Sequence, residues 1–176
     1  MASQLWVWFV VAAAAVLAVM VVLRLLRSPS GERRPPGDIQ RAVPYGIAAR
    51  PMPEGDVLDS LLPPKVGEFI RESVEPPRGI QQSTYAHYRC GVATVFFELY
   101  LGDDADDARV GIFNAKRETD AEFPDSAKRS AHSLKTDPSY FKYAGLMAWT
   151  RGRYFFLANA KGGEADLDRF MESFPY

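Results

Sequence analysis

Few side chains in this chain have a type and spacing suited to catalysis or metal binding. The two histidines, His87 and His132, stand 45 residues apart, and no neighbouring pattern places them in a metal site or a catalytic triad. The single cysteine, Cys90, precedes Gly91 with no activating group beside it, which is typical of a small packed residue. These residues therefore predict no catalytic centre.

Four aspartates, at positions 103, 104, 106 and 107, are the densest group of potential metal ligands. They lack the alternating acids, central glycine and distal glutamate of a calcium loop, and they suit the start of a helix. The chain also contains no phosphate-binding loop, no GxSxG and no HExxH. Its net charge of −1 disfavours nucleic acid as a partner. We predict a non-catalytic protein with no cofactor and no bound metal.

Alternating apolar residues predict the strands of the C-terminal part. In Val92–Leu101 one face is wholly apolar, whereas the other mixes Thr94, Phe96, Glu98 and Tyr100. Residues 83–90 alternate in the same way, so Gly91 predicts a hairpin, and residues 66–74 predict a weaker strand. The segments "AGLMAWT" and "RYFFLANA" predict a second hairpin at Arg151-Gly152.

Two helices complete the predicted domain. One follows the aspartates, although Gly111 weakens its pattern, and one covers "EADLDRFMESF", where apolar residues recur at helical spacing. The predicted fold class is α+β: an antiparallel sheet of about five strands with helices packed on one face, in a domain spanning residues 56–176.

An apolar segment near the N-terminus predicts a membrane anchor within residues 1–27. Leu5 to Leu23 are 19 consecutive apolar residues, enough for a helix that crosses a hydrocarbon core of about 30 Å. A long signal peptide is the less favoured alternative, because no basic residue precedes the segment and no cleavage site follows it. Trp6 and Trp8 are expected at one interface, and Arg24 and Arg27 at the other.

The charge bias predicts the orientation of this anchor. Arginines follow the apolar segment and none precedes it, which favours a short N-terminus outside and the domain in the cytoplasm. Ala14 and Ala18 offer a small-residue face for packing against another helix. Residues 1–27 contain no His, Cys, Asp or Glu, so an axial ligand to haem or chlorophyll is not expected.

Residues 28–55 predict an extended linker, because they hold six prolines and four glycines. Through Gly55 the chain carries six arginines against three acids, and from Asp56 onward 15 basic against 19 acidic residues. The linker arginines are expected to contact anionic lipid or an acidic protein surface, unless the linker is a solvated tether. They are Arg33, Arg34, Arg41 and Arg50.

The C-terminal third is rich in aromatic and arginine side chains, which often anchor interfaces. Since some of them must fill the core, only part of the set can serve a partner. The candidate interface residues are Tyr140, Phe141, Tyr143, Arg151, Arg153 and Tyr176.

The anchor, its arginine-flanked exit, the proline-rich linker and the β-rich domain together resemble, in architecture, the H subunit of bacterial photosynthetic reaction centres. They also resemble small single-span accessory subunits of antenna and respiratory complexes. The resemblance rests on Trp6, Trp8, the span 5–26, Arg24 and Arg27, and it transfers no functional residue. It implies an accessory subunit in a bacterial cytoplasmic-type membrane that clamps integral membrane partners. An independent anchored binding domain and an envelope protein with its domain outside are the alternatives.

The orientation is testable through its charges. Replacing Arg24 and Arg27 by glutamine should let a fraction of the chains insert with the domain outside, because the positive charge that opposes translocation is removed. Protease digestion of a C-terminal tag in spheroplasts measures that fraction, with Arg117→Gln as the control. An unchanged orientation would contradict the charge argument.

Overall fold

The computed structural model describes residues 43–76 and 82–176. A 3-10 turn at Pro44–Ala49 opens the described chain. Four helices follow: α1 (Leu58–Leu61), α2 (Ala105–Glu122), α3 (Ser126–Arg129) and α4 (Glu164–Ser173). The strands are β1 (Lys65–Val66), β2 (Phe69–Glu75), β3 (Ser83–Cys90), β4 (Ala93–Leu101), β5 (Ala131–Ser133), β6 (Tyr140–Tyr143), β7 (Leu146–Arg151) and β8 (Tyr154–Ala160).

All eight strands form one antiparallel sheet in the order β1-β2-β3-β4-β8-β7-β6-β5. Two four-stranded meanders meet where β4 pairs with β8, in a register that places Phe97 opposite Ala158. The predicted antiparallel sheet is confirmed, but it has more than five strands. The additional strands are short: β1 has 2 residues, β5 has 3 and β6 has 4, too few to show an alternating pattern.

Both predicted hairpins are confirmed. Cys90 pairs with Ala93 across a turn in which Gly91 has φ +60°, and Arg151 pairs with Tyr154 across a turn in which Gly152 has φ +55°. Glycine adopts this left-handed conformation without the steric cost of a side chain. The two turns therefore fix the register of the strands that they connect.

The inner face of the sheet carries the larger core. Helix α4 packs on β4, β7 and β8 through an aromatic cluster in which the ring centroids of Phe97 and Phe174 lie 4.7 Å apart. Trp149 stacks on Phe156 at 5.0 Å, and both side chains are fully buried. Aromatic pairs of this kind contribute beyond the area that they bury.

Helix α2 packs on the opposite, outer face, against β6, β7 and β8. It buries Ala108, Ile112 and Ala115 against Phe141, Ala148 and Phe155. Phe155 and Phe156 are consecutive in β8 and therefore point to opposite faces of the sheet. The prediction that the helices share one face was thus wrong. Strands β7 and β8 are apolar at both alternating positions, so a search for alternating apolar residues does not reveal the second core.

Gly111 allows α2 to approach the sheet closely. A Cβ atom at this position would lie 2.5 Å from Cδ2 of Phe155, inside the van der Waals limit. The residue that weakened the predicted helix is therefore the residue at which helix and sheet touch.

The segment 43–55 is part of the domain, which corrects the predicted linker boundary at residue 55. Ile47 is fully buried, and Tyr154 donates its hydroxyl hydrogen bond to the carbonyl oxygen of Gly55 at 2.7 Å. Arg151 donates to the carbonyl oxygens of Ile47 and Arg50, each at 2.7 Å.

The predicted anchor and residues 28–42 of the predicted linker lie outside the described residues. Within the described ranges, no helix has the length and apolar character needed to cross a membrane.

The contact at Gly111 predicts a stability change. Gly111→Ala should lower the free energy of unfolding by about 1–2 kcal/mol, because the overpacking against Phe155 outweighs a gain in helix propensity of about 1 kcal/mol. Urea unfolding followed by circular dichroism measures it. In a Phe155→Leu background the penalty should disappear, whereas an equal penalty in both backgrounds would place the strain elsewhere.

Candidate interaction groove

No described helix covers the outer faces of β2, β3 and β4, because α2 lies over β6–β8. This uncovered half of the outer face, called the open half-face below, carries half-buried aromatic side chains on β3 and β4. The rings of Tyr85 and Phe96 stack with centroids 5.7 Å apart, and His87 meets Phe96 edge-on at 5.3 Å. The mixed strand face seen in the sequence is therefore an aromatic surface.

A groove of about 320 Å³ separates the open half-face from α2. One wall is a stripe along α2 that includes Val110, Asn114 and Glu118, residues spaced four apart and hence on one side of a helix. The other wall comes from β3, β4 and β8. Its lining residues are Ser83, Glu98, Tyr100, Asp107, Val110, Gly111, Asn114, Ala115, Glu118, Phe155 and Leu157.

Glu98 lies at the floor of the groove, where burial raises its pKa. Hydrogen bonds from Tyr85 and Ser83 oppose that shift, and the nearby charge of Glu118 adds to it. A carboxylate in this position is poorly solvated and repelled by its neighbour. A cationic side chain beside Glu98 would favour the ionised carboxylate, because a nearby opposite charge lowers the pKa of a carboxyl group.

Asp107 provides the third carboxylate of the groove. It accepts a hydrogen bond from the Tyr100 hydroxyl at 2.6 Å, and this bond, together with burial, raises the pKa of Tyr100 to about 12. Asp104 accepts from the backbone N–H groups of Asp106 and Asp107 at 2.9 and 2.8 Å. The predicted helix-capping role of these aspartates is confirmed at Asp104.

Cys90 and His87 both lie on β3 but do not contact each other in a catalytic pair. Cys90 is half-buried, with its Sγ 3.2 Å from Nη2 of Arg169, and His87 contacts the ring of Phe96. Residues 43–76 and 82–176 contain no group of three or more His, Cys, Asp or Glu side chains that could hold a metal ion.

A second hollow, of about 440 Å³, lies beside Lys142. The ammonium of Lys142 is 2.7 Å from Glu164, 3.1 Å from Asp168 and 5.0 Å from the centre of the Tyr45 ring. Burial lowers the pKa of Lys142, but the bonds to Glu164, Tyr45 and Asp168 outweigh burial and raise it overall. Burial and the hydrogen bond to Asp168 raise the pKa of Tyr45 to about 12. Both groups stay protonated at neutral pH, so neither Tyr45 nor Lys142 acts as a base there, and their contacts hold the turn at Pro44–Ala49 against β6 and α4.

Several predicted interface residues belong to the interior. Tyr140 and Phe141 are fully buried, and Arg151 is 8% exposed; the expectation that these three anchor a partner was wrong. Tyr143 is half-buried against Phe123, with ring centroids 5.6 Å apart. Strand β6 is covered on both faces because the sheet has a hydrophobic core on each side.

Arg50, Arg153 and Tyr176 also make contacts within the domain. Arg50 donates to the carbonyl oxygens of Tyr45 at 2.8 Å, of Met171 at 2.6 Å and of Phe174. Arg50 therefore contacts its own domain, whereas the sequence predicted a contact with lipid or with a partner. Arg153 pairs with Asp56, and Tyr176 stacks on Phe156 at 6.3 Å.

The remaining predicted positions lie outside the described residues. These are Trp6, Trp8, Ala14, Ala18, Arg24, Arg27, Arg33, Arg34 and Arg41. Sequence reasoning did not single out Val110 and Glu118 of the groove. The mixed face of Val92–Leu101 was the available signal, since it joins Phe96 and Glu98 on one side of a strand.

Comparisons of the chain with protein-family models, with curated proteins and with solved structures find no match.

The Lys142 cluster predicts a loss of stability in base. The pKa of Tyr45 is raised from its ordinary 10.0 to about 12, so its contribution is complete below pH 10 and is lost as the pH rises toward 12. The pKa of Lys142 is also raised, so its contribution to stability is likewise lost as the pH rises. Urea unfolding between about pH 8 and 11 should show a shallower decline for Tyr45→Phe than for the natural protein. Parallel curves would contradict this role for Tyr45.

Proposed function

We propose that this protein is a non-catalytic, membrane-anchored accessory subunit that stabilises a larger membrane protein complex. In this proposal the domain docks on its partner through the open half-face and the adjoining groove. The observation that carries it is the half of the outer face that no described helix covers, where aromatic and aliphatic side chains face outward. A photosynthetic or respiratory complex is the context that the sequence resemblance implies.

Exposed apolar side chains border both edges of the open half-face. Ile70 on β2 is 60% exposed and Val110 on α2 is 51% exposed. Between them lie the half-buried rings of Tyr85, His87 and Phe96. Arg89, the cross-strand partner of Ile70, pairs with Glu72 at 2.8 Å on the same face. Exposed apolar side chains bordered by polar groups are typical of a protein interaction surface.

The cluster around Lys142 is consistent with a structural role. The most strongly coupled cluster contains Lys142 and Tyr45, and its contacts hold both side chains in their protonated forms. A general base at neutral pH needs the opposite shift. The cluster instead joins the turn at Pro44–Ala49 to β6 and α4.

The predicted anchor would strengthen docking without adding contacts. A membrane span confines the domain near partners in the same membrane, so the second contact becomes intramolecular. A modest surface such as the open half-face then suffices for stable association. Such confinement requires the predicted span at residues 5–26.

An independent anchored sensor is the second candidate, and the hollow beside Lys142 favours it. Its volume of about 440 Å³ lies within the usual range for small-molecule sites. A permanent subunit predicts companions in fixed stoichiometry on purification in mild detergent, whereas a sensor predicts none.

The docking surface can be tested with two variants of one helix. Val110→Gln should lower the companions retained on a C-terminally tagged chain roughly tenfold, the effect of losing about 1.4 kcal/mol at an interface. Phe113→Gln is the matched control, because Phe113 is also 51% exposed but does not line the groove. Mass spectrometry measures both yields. Equal retention by the two variants would overturn this docking surface.

A further inference from the structure

The charge of the groove indicates what kind of segment occupies it. We infer that the groove and the open half-face bind the Lys- or Arg-bearing end of an α-helix from a partner membrane protein. This inference rests on the proposed function and adds the chemistry of the partner.

The described residues that line the groove include three carboxylates and no lysine or arginine. Asp107 is engaged by Tyr100 and Glu98 by Tyr85 and Ser83, all neutral donors. Within the described ranges, no lysine or arginine forms an ion pair with Glu118. Among the described residues, no lysine or arginine therefore compensates the negative charge of the groove, and a cationic side chain is its complement.

The dimensions of the open half-face fit one helix. Adjacent strands lie about 4.8 Å apart, so β2 to β4 span about 10 Å, close to the diameter of a helix with its side chains. Helix α2 already occupies the neighbouring half of the same face. A second helix laid beside it would contact Val110, Asn114 and Glu118 along one side and Phe96 beneath.

The apolar and acidic groups lie next to each other, which specifies an amphipathic occupant. Phe96 and Val110 would take apolar side chains, while Glu98 and Glu118 would take the cation. The cytoplasmic ends of membrane-spanning helices combine these features, because lysine and arginine are enriched there. The basic segment 24–41 of this chain contains Pro29, Pro35 and Pro36 and is predicted to be extended, so it is the weaker fit.

The test uses the full chain, separated from its companions in a stronger detergent, and two fluorescent 18-residue peptides. One is a leucine-rich helix with lysines along one flank, and the other carries glutamate in place of each lysine. Fluorescence anisotropy should show the lysine peptide binding at least tenfold more tightly. Glu118→Gln should weaken that binding about fivefold, whereas Glu172→Gln, an exposed position on α4, should leave it unchanged.

Equal affinities for the two peptides, or equal effects of the two variants, would overturn the inference. If Val110→Gln releases companions but neither peptide binds, the proposed function stands and the basic helix is the wrong partner. If the chain purifies without companions, the proposed function fails independently of the peptides. Tighter peptide binding after Arg33, Arg34 and Arg41 are replaced by glutamine would assign the groove to the chain's own segment and overturn the inference.

Discussion

The contact between Gly111 and the ring of Phe155 determines how the outer face of the sheet is divided. Any side chain at 111 would meet the ring at 2.5 Å, so only glycine lets α2 lie close on β6, β7 and β8. That placement closes the second core around Ile112 and Ala148. It also leaves β2, β3 and β4 without a covering helix among the described residues. The groove runs along the side of α2 that this close approach helps to position.

The Lys142 cluster and the groove differ in how their charges are paired. Around Lys142, opposite charges pair, and the hydroxyl of Tyr45 donates to Asp168, so the charges are satisfied internally. The described lining of the groove holds three carboxylates and no lysine or arginine, and burial raises the pKa of Glu98. The first arrangement stabilises the fold by joining the segment 43–55 to the sheet. The second could be completed by a partner, which is why we propose that the groove binds one.

The sequence predicted the elements with strong periodicity and missed those defined by tertiary contacts. The hairpin around Gly91 and helix α4 followed from alternation and from the i, i+3, i+4 pattern. Strands β5 and β6 are too short for any pattern, and the burial of Phe141 depends on α2 lying over it. Arg50 and Arg151 looked like partner contacts, because a sequence does not show that their guanidinium groups donate to backbone carbonyls of the same domain. For the groove, the mixed face of β4 was visible, but its helical wall was not.

The most direct measurement is carbodiimide labelling of carboxylates on the full chain, compared between native membranes and the protein purified free of companions in a stronger detergent. If a partner covers the open half-face, Glu98 and Glu118 should be labelled much more weakly in membranes, while Glu172 on α4 should be labelled equally in both. Equal labelling of Glu118 in the two preparations would show that no partner occupies the groove, and would contradict the account.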